Sequence, residues 1–391
     1  MTAALPLHQI PAWTSLEYTG RWSEARLDQL RTQGDPLADE VLAVLAAEGA
    51  MTGFHDLLGT VRTRAAEGEQ TCQRFLDTCN AVPEWVDFTA MKQGQMMLGA
   101  FPINMGIALF TGSLVGGAVF QKMAMITAMT GMLSGDSNRR LDETAAMVLR
   151  MAFPGNLEPG APGHELLMRV RLLHAAIRRF LVDSGRFKHP HEVPINQQDL
   201  SITLGLFGYL NIRSLGMMHI HFNEEELASF NLMWRYTGHV LGIQDDLLPT
   251  TVADQQAFFL ASLKHQARPD KLDERTRMVM DNVARDAARK YPGVSEAAAR
   301  KFLYQSCRWL SGNDYVTGME IEDAGEYWGI KTLKGLGAVS AFTWRYIPGG
   351  RQVLYRLGTR GYKKALARIA RHKDKQGEYR VRTAEPAGRS N

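Results

Sequence analysis

Cysteine is scarce: Cys72, Cys79 and Cys307 are the only three among 391 residues. Three thiols cannot form a disulfide framework, and the Cys72–Cys79 spacing matches neither a zinc pair nor the C-x-x-C-H of covalent haem attachment. Reduced thiols in a reducing compartment are expected. Sustained period-two alternation and hairpin turn signals are missing, which excludes a β architecture. There is no G-x-x-x-x-G-K-[ST], no G-x-G-x-x-G after a strand and no G-x-S-x-G, so nucleotide cofactors and an α/β-hydrolase elbow have no home. None of the 11 histidines follows a glutamate by three residues, and no H-E-x-x-H occurs; these absences exclude a Glu-x-x-His di-iron bundle and a helical zinc protease. The N-terminus, MTAALPLHQIPAWTSLEYTGRW, lacks a basic region followed by a long apolar run and lacks twin arginines. No export signal is read there, and a cytoplasmic location is expected.

Charge is missing from one long stretch, between Lys92 and Lys122. Its length suffices to cross a bilayer. Pro102, Asn104 and six glycines interrupt it, so the expectation is two buried helices with a bend near Phe101–Gly106 and no transmembrane helix. Methionines in the Phe101–Met132 region are candidates to line an apolar channel.

What is present is helical periodicity, in a chain that is 45% hydrophobic and 22% charged, and the class is all-α. Asp35 caps and Pro36 opens a long helix or a broken pair of helices. One helix is expected over 196–215. Asn223 and Glu226 have the offset of a capping box for a helix running to about Gly242. Further helices are expected at 252–267, 271–290 and 294–311. The division is an N-terminal extension (1–22), one helical domain (23–344) and a basic tail (345–391). From Arg345 onward there are 13 Lys+Arg and 3 Asp+Glu, a balance of +10, which leaves −6 on the rest of a chain whose net charge is +4. Gly358 and Gly361 are expected to divide this tail into two short amphipathic helices. Leu354, Leu357, Leu366 and Ile369 lie among its basic residues, a pattern suited to an anionic membrane surface or to packing on the acidic body. No nucleic-acid partner is expected.

Two helical constellations carry possible chemistry. In VRLLHAAIRR (170–179), Arg171, His174 and Arg178 share one face. Two fixed cations disfavour protonation of an imidazole, and a neutral imidazole is what a metal binds. Arginines also suit the propionates of a haem, which a helical bundle can bury with one histidine on the iron. The bland alternative is a surface helix whose histidine makes one hydrogen bond, and the pattern alone favours it. In DSNRRLDETAAMVLR, Arg140, Glu143 and Thr144 cluster, as a solvent-facing ion-pair helix or as groups holding a developing oxyanion. His189/His191 and His219/His221 are expected to be surface residues.

Five segments in order, VPEWVD (82–87), NRRLDET (138–144), VRLLHAAIRR (170–179), PINQQDLSITLGLF (194–207) and WRYTGHVLGI (234–243), resemble the rubber oxygenase (latex clearing protein) and MpaB-like oxygenase family. The resemblance implies a partly globin-like all-α fold with non-covalent haem b. It implies that His174 is the proximal iron ligand, that Arg140 and Thr144 lie on the distal side and that dioxygen is the co-substrate. Arg171, Arg178 and His239 are then assigned to cofactor binding, with Arg140, Glu143 and Thr144 as the catalytic set. Latex clearing proteins carry lysine where Glu143 stands, and that lysine can bind the iron; the carboxylate here points away from rubber and toward a smaller prenylated or terpenoid alkene. The rivals are a haem-binding sensor or carrier without turnover, and a helical scaffold that docks on membranes.

Overall fold

A computed structural model of the chain describes residues 7, 9–49, 56–129, 137–189, 191–268, 274–290, 292–316 and 327–376. No strand occurs among them. In chain order the helices are α1 (Glu24–Arg31), α2 (Pro36–Ala47), α3 (Leu57–Ala66), α4 (Gln70–Asn80), α5 (Phe88–Ala100), α6 (Pro102–Ile107), α7 (Gln121–Met129), α8 (Ser137–Met151) and α9 (Pro162–Asp183). They continue as α10 (Gln197–Phe207), α11 (Tyr209–Met217), α12 (Glu224–Val240), α13 (Val252–Gln266), α14 (Glu274–Lys290), α15 (Glu296–Ser311), α16 (Trp328–Tyr346) and α17 (Gly350–Gln376).

Local chemistry sets several starts. The Asp35 carboxylate accepts from the Ala38 amide with Pro36 in the first turn, and the Asn223/Glu226 capping box forms with both of its reciprocal bonds. Such caps satisfy amides that the helix cannot. Of the long helix or broken pair expected from Asp35, the broken pair is found, as α2 and α3. The expected 196–215 helix is also split, because the backbone leaves the helical region at Gly208 (φ −89°, ψ −84°), where a Cβ would lie 2.3 Å from the Gln255 side chain.

One main core runs through the molecule, from Leu16 and Trp22 to Trp344 and Tyr362. Leu16 and Trp22, which precede α1, therefore belong to it, and Lys264 Nζ donates to the Leu16 carbonyl at 2.8 Å. Helix α5 lies along α12. Gly94 makes this approach possible: a Cβ there would lie 2.5 Å from the Ser229 carbonyl. After α5 the chain bends at Phe101, as its uncharged stretch predicts. It continues through α6, a π-helical segment (Ala108–Val115) and a 3₁₀ turn (Gly116–Val119). Pro102–Val119 is long and apolar enough to cross a membrane by length and composition, and 44% of it is buried in the protein.

The tail departs from expectation. Gly358 and Gly361 do not divide it: α17 is continuous over 27 residues. Gly358 is there for packing, since a Cβ would meet the Gly99 carbonyl at 1.9 Å. Helix α17 thus lies against α5, α8 and α16, and Leu354 packs on the main core. The boundary drawn at 345 falls inside α16.

Candidate functional site

Helix α9 carries the central constellation. Arg171 is buried and its guanidinium is bidentate on Asp35, with Nε donating to Oδ2 at 2.7 Å and Nη2 to Oδ1 at 2.9 Å. Its Nη1 reaches the Val240 carbonyl at 3.5 Å and lies 3.6 Å from Cys79 Sγ. Burial opposes the charge on Arg171, but the bonds to Asp35 outweigh it and hold the guanidinium protonated more firmly than usual. Burial raises the Cys79 thiol against the opposing pull of Arg171. Two turns along α9, Arg178 Nε donates to Asp39 at 2.8 Å and Nη1 to the Ile195 carbonyl at 2.7 Å. Burial raises the Asp39 carboxyl, and Arg178 restrains that shift.

Glycines roof both pairs. A Cβ on Gly242, at φ +82°, would lie 2.3 Å from Asp35 Oδ2, and one on Gly34 would lie 3.1 Å from Arg178 Nε. Gln197 ties the two glycines together, its Nε2 donating to the Gly34 carbonyl at 2.7 Å and the Gly242 carbonyl at 3.0 Å. The expectation that Arg171 and Arg178 face haem propionates therefore meets a different geometry. Each arginine already holds a protein carboxylate, and the surrounding backbone closes over it. The bidentate, dry Arg171–Asp35 pair fixes orientation strongly, and the Arg178–Asp39 pair, whose carboxylate is 38% exposed, adds a second tie, so these arginines position α9.

Between them, His174 is half-buried, on a helix whose Leu172, Ala175, Ala176 and Ile177 are buried. Ile177 and Leu181 pack with Ile126 of α7. Helix α8, which bears Arg140, Glu143 and Thr144, packs beside α9. Thr144 is half-buried. The side chains of Arg140 and Glu143 lie outside the described residues, as do residues 130–136 at the end of the methionine-rich stretch. A half-buried imidazole on this helix is a side chain that could hold the metal of a cofactor. Among the described residues no three His, Cys, Asp or Glu side chains gather as a metal cluster.

His239, in the last turn of α12, stands on the Arg171 side. Its Nδ1 is 3.7 Å from Asp245 Oδ1, its ring is edge-on to Trp85 at 6.1 Å, and burial lowers its affinity for a proton although Asp245 opposes this. Its Nε2 and the Tyr236 hydroxyl are buried without a hydrogen-bond partner among the described residues. Trp85 also takes the Arg235 guanidinium over its ring at 4.0 Å. Four of the five segments singled out in the sequence thus meet around α9, and the fifth, NRRLDET, lies on the neighbouring helix. Sequence reasoning missed Asp35 and Asp39 as partners. The available signal was their four-residue spacing on α2, complementary to two arginines on α9, but only tertiary structure shows that the helices meet.

Comparison with known proteins bears on the family and the fold. A family model described as ER-bound oxygenase mpaB/B'/Rubber oxygenase, catalytic domain, matches residues 103–339. A rubber oxygenase from a Streptomyces species is 24% identical over 229 residues, which are 56% of this chain and 55% of that protein. The chain thus aligns with about half the length of that curated relative. The structure of a latex clearing protein in the closed state superposes with a TM-score of 0.58 at 16% identity, covering 93% of this chain and 96% of that one; the likeness shows a shared all-α fold.

Proposed function

Because the chain belongs to the family of ER-bound oxygenase mpaB/B' and rubber oxygenase catalytic domains, we propose that it is an oxygenase that uses haem b and dioxygen to cleave a C=C bond of a lipophilic, prenylated or terpenoid substrate. The observation that carries the proposal is the meeting of α8 and α9. It puts the helix of Arg140, Glu143 and Thr144 beside the helix of His174, both inside the matched stretch.

His174 is the residue that would hold the iron. When bound, the haem supplies the iron centre at which dioxygen is activated. The protein does the rest. Ion pairs to Asp35 and Asp39 fix the helix that presents His174. Arg140 and Thr144 supply a cation and a hydroxyl suited to a developing oxyanion, and Glu143 is the group able to give or take a proton at its carboxyl. The propionates would need cations other than Arg171 and Arg178. His239 would contribute from the Arg171 side of α9, with Trp85 against its ring.

The test is an absorption spectrum of the purified protein, oxidised and reduced, with and without His174→Ala. A Soret band that moves on reduction and is lost in the variant, with circular dichroism unchanged, supports the assignment. A full, unshifted band in the variant would falsify it. Oxygen uptake with a prenylated alkene separates an oxygenase from a haem carrier without turnover. Imidazole or cyanide should bind the ferric protein directly, because Glu143 offers no nitrogen to the iron.

A further inference from the structure

Among the described residues, most of the large exposed apolar side chains lie on α16, on α17 and at the link between them. Trp328, Val339, Phe342 and Tyr346 are 70%, 66%, 56% and 67% exposed. They lie at i, i+11, i+14 and i+18 of α16, which puts them on one stripe of the helix. The opposite side of α16 buries Leu333, Gly337 and Trp344. On α17, Val353 and Leu357 are likewise exposed, and they share a face with exposed Arg360 and Lys364. Helix α6, with Ile103 59% exposed, packs against both α16 and α17. Scattered surface apolar residues need no explanation, but a stripe of large exposed apolar side chains along one helix does.

Its charge identifies the occupant. From Trp328 to Arg371 the sequence contains ten Lys and Arg and no Asp or Glu. Three of the cations, Arg356, Arg360 and Lys364, make no ion pair with a described residue. A second copy of the chain would bring ten like charges against ten. A nucleic acid would neutralise the cations but gain nothing from Val339, Phe342 or Leu357. An anionic bilayer satisfies both features, because aromatic and aliphatic side chains enter the interface while Lys and Arg meet the headgroups.

We propose that α16 and α17 form an interfacial docking surface that seats the protein on an anionic phospholipid membrane, with the Trp328–Tyr346 stripe inserted at headgroup depth. The surface differs from the one suggested by Leu354, Leu366 and Ile369, which are half-buried against the body. The buried Glu226 sets the orientation of the pair. Its carboxylate accepts from Trp344 Nε1 at 2.7 Å and Arg351 Nη2 at 2.9 Å, with Arg345 3.6 Å away. This clasp fixes the stripe rigidly to the body. The proposal is independent of the haem assignment, because its readout needs no cofactor and no turnover.

The experiment is co-sedimentation of the full chain with phosphatidylglycerol/phosphatidylcholine vesicles and with pure phosphatidylcholine vesicles. The wild type should sediment with the anionic vesicles at low salt, less at high salt, and little with the neutral ones. Each basic residue near an anionic surface is worth roughly fivefold in partitioning, so R356E/R360E/K364E should bind on the order of a hundredfold more weakly. F342S/Y346S should also lose binding, with unchanged circular dichroism and melting, since both side chains are exposed. A W328F variant should lose the blue shift in tryptophan emission that vesicles induce. The proposal is overturned if the wild type stays in the supernatant with anionic vesicles at low salt. It is equally overturned if both multiple variants sediment like the wild type, or if F342S/Y346S instead dissolves a dimer seen by sedimentation velocity.

Discussion

Arginine does two opposite jobs in this molecule. On α9, Arg171 and Arg178 keep only 7% and 4% of their side chains exposed, and they grip the aspartate that caps α2 and an aspartate in its first turn. On α17, Arg356 and Arg360 stand in solvent within a stretch that contains no acidic residue. A buried pair costs desolvation and returns orientation. An exposed cation costs little and remains available to an outside partner. Burial and pairing therefore separate charge that builds a site from charge that presents a surface. Glu226 joins the two regions, since it is a fully buried carboxylate of α12 held by residues of α16 and α17.

The sharpest way to break this contrast is to remove one partner of the buried pair. Arg171→Ala leaves the Asp35 carboxylate dry, with the Ala38 amide as its remaining contact at 3.4 Å. The expected loss is about 3–5 kcal/mol, measured by urea denaturation. An Asp35→Ala/Arg171→Ala double variant should recover part of it, because the uncompensated charge is then gone. A loss below about 1 kcal/mol in the single variant would mean that the pair does not organise α9.

Glu226→Gln is expected to cost less, about 1.5–3 kcal/mol, the range for hydrogen bonds to a charged group. The amide keeps the shape but can no longer pair with Arg351 and Arg345. Thermal melting measures the cost, and hydrogen exchange should show α16 and α17 opening before α9. Simultaneous opening of all three would dissolve the distinction between a presented surface and a built site.

Much of this was legible in the sequence, and the rest failed for identifiable reasons. Caps are local chemistry, so Asp35–Pro36 and Asn223/Glu226 could be placed from the sequence alone. The shared face of Arg171, His174 and Arg178 follows from helical spacing. What the arginines touch does not, because α2 and α9 are more than a hundred residues apart, and the propionate expectation missed Asp35 and Asp39 for that reason. Glycine was ambiguous. Gly208 ends a helix, whereas Gly358 lies within one and admits the α5 backbone; the difference is the neighbour, which the local sequence does not carry. The amphipathic tail was visible, but its orientation on the body was not.

A third measurement sharpens the role of pairing within the buried set itself. Arg31 faces two carboxylates. It bonds Glu192, which Lys122 also holds, and it lies 4.0 Å from Asp199. Burial opposes the charge on Glu192, but its bonds to Arg31 and Lys122 prevail and lower its pKa to about 2. Burial of Asp199 dominates and raises its pKa from 3.8 to about 6. A raised acid binds more protons folded than unfolded, so its contribution to stability falls as pH rises from about 4 to 6. Glu192 acts in the opposite sense and below that window, adding stability as pH rises from about 2 toward 4.5. Asp199→Asn should remove the decline above pH 4 and narrow the stability difference between pH 4 and 7 by roughly 1–2 kcal/mol. An unchanged slope in denaturation series across that range would show that Asp199 ionises without cost.

The smallest effect completes the comparison. Arg356→Ala/Arg360→Ala removes two cations that make no ion pair with a described residue and whose helix is held by other contacts. The Tyr362 hydroxyl donates to the Leu98 carbonyl at 2.8 Å, Gly358 packs on Gly99, and Arg351 reaches Glu226. Surface substitutions of this kind usually shift stability by no more than about 0.5 kcal/mol, and removing mutual repulsion among like charges acts in the stabilising direction. The urea midpoint should therefore stay within error of the wild type or rise slightly, and the rise should shrink as salt screens the remaining cations. A drop of 1 kcal/mol or more would mean that these arginines hold the fold as Arg171 does. The two classes of arginine would then differ in exposure alone.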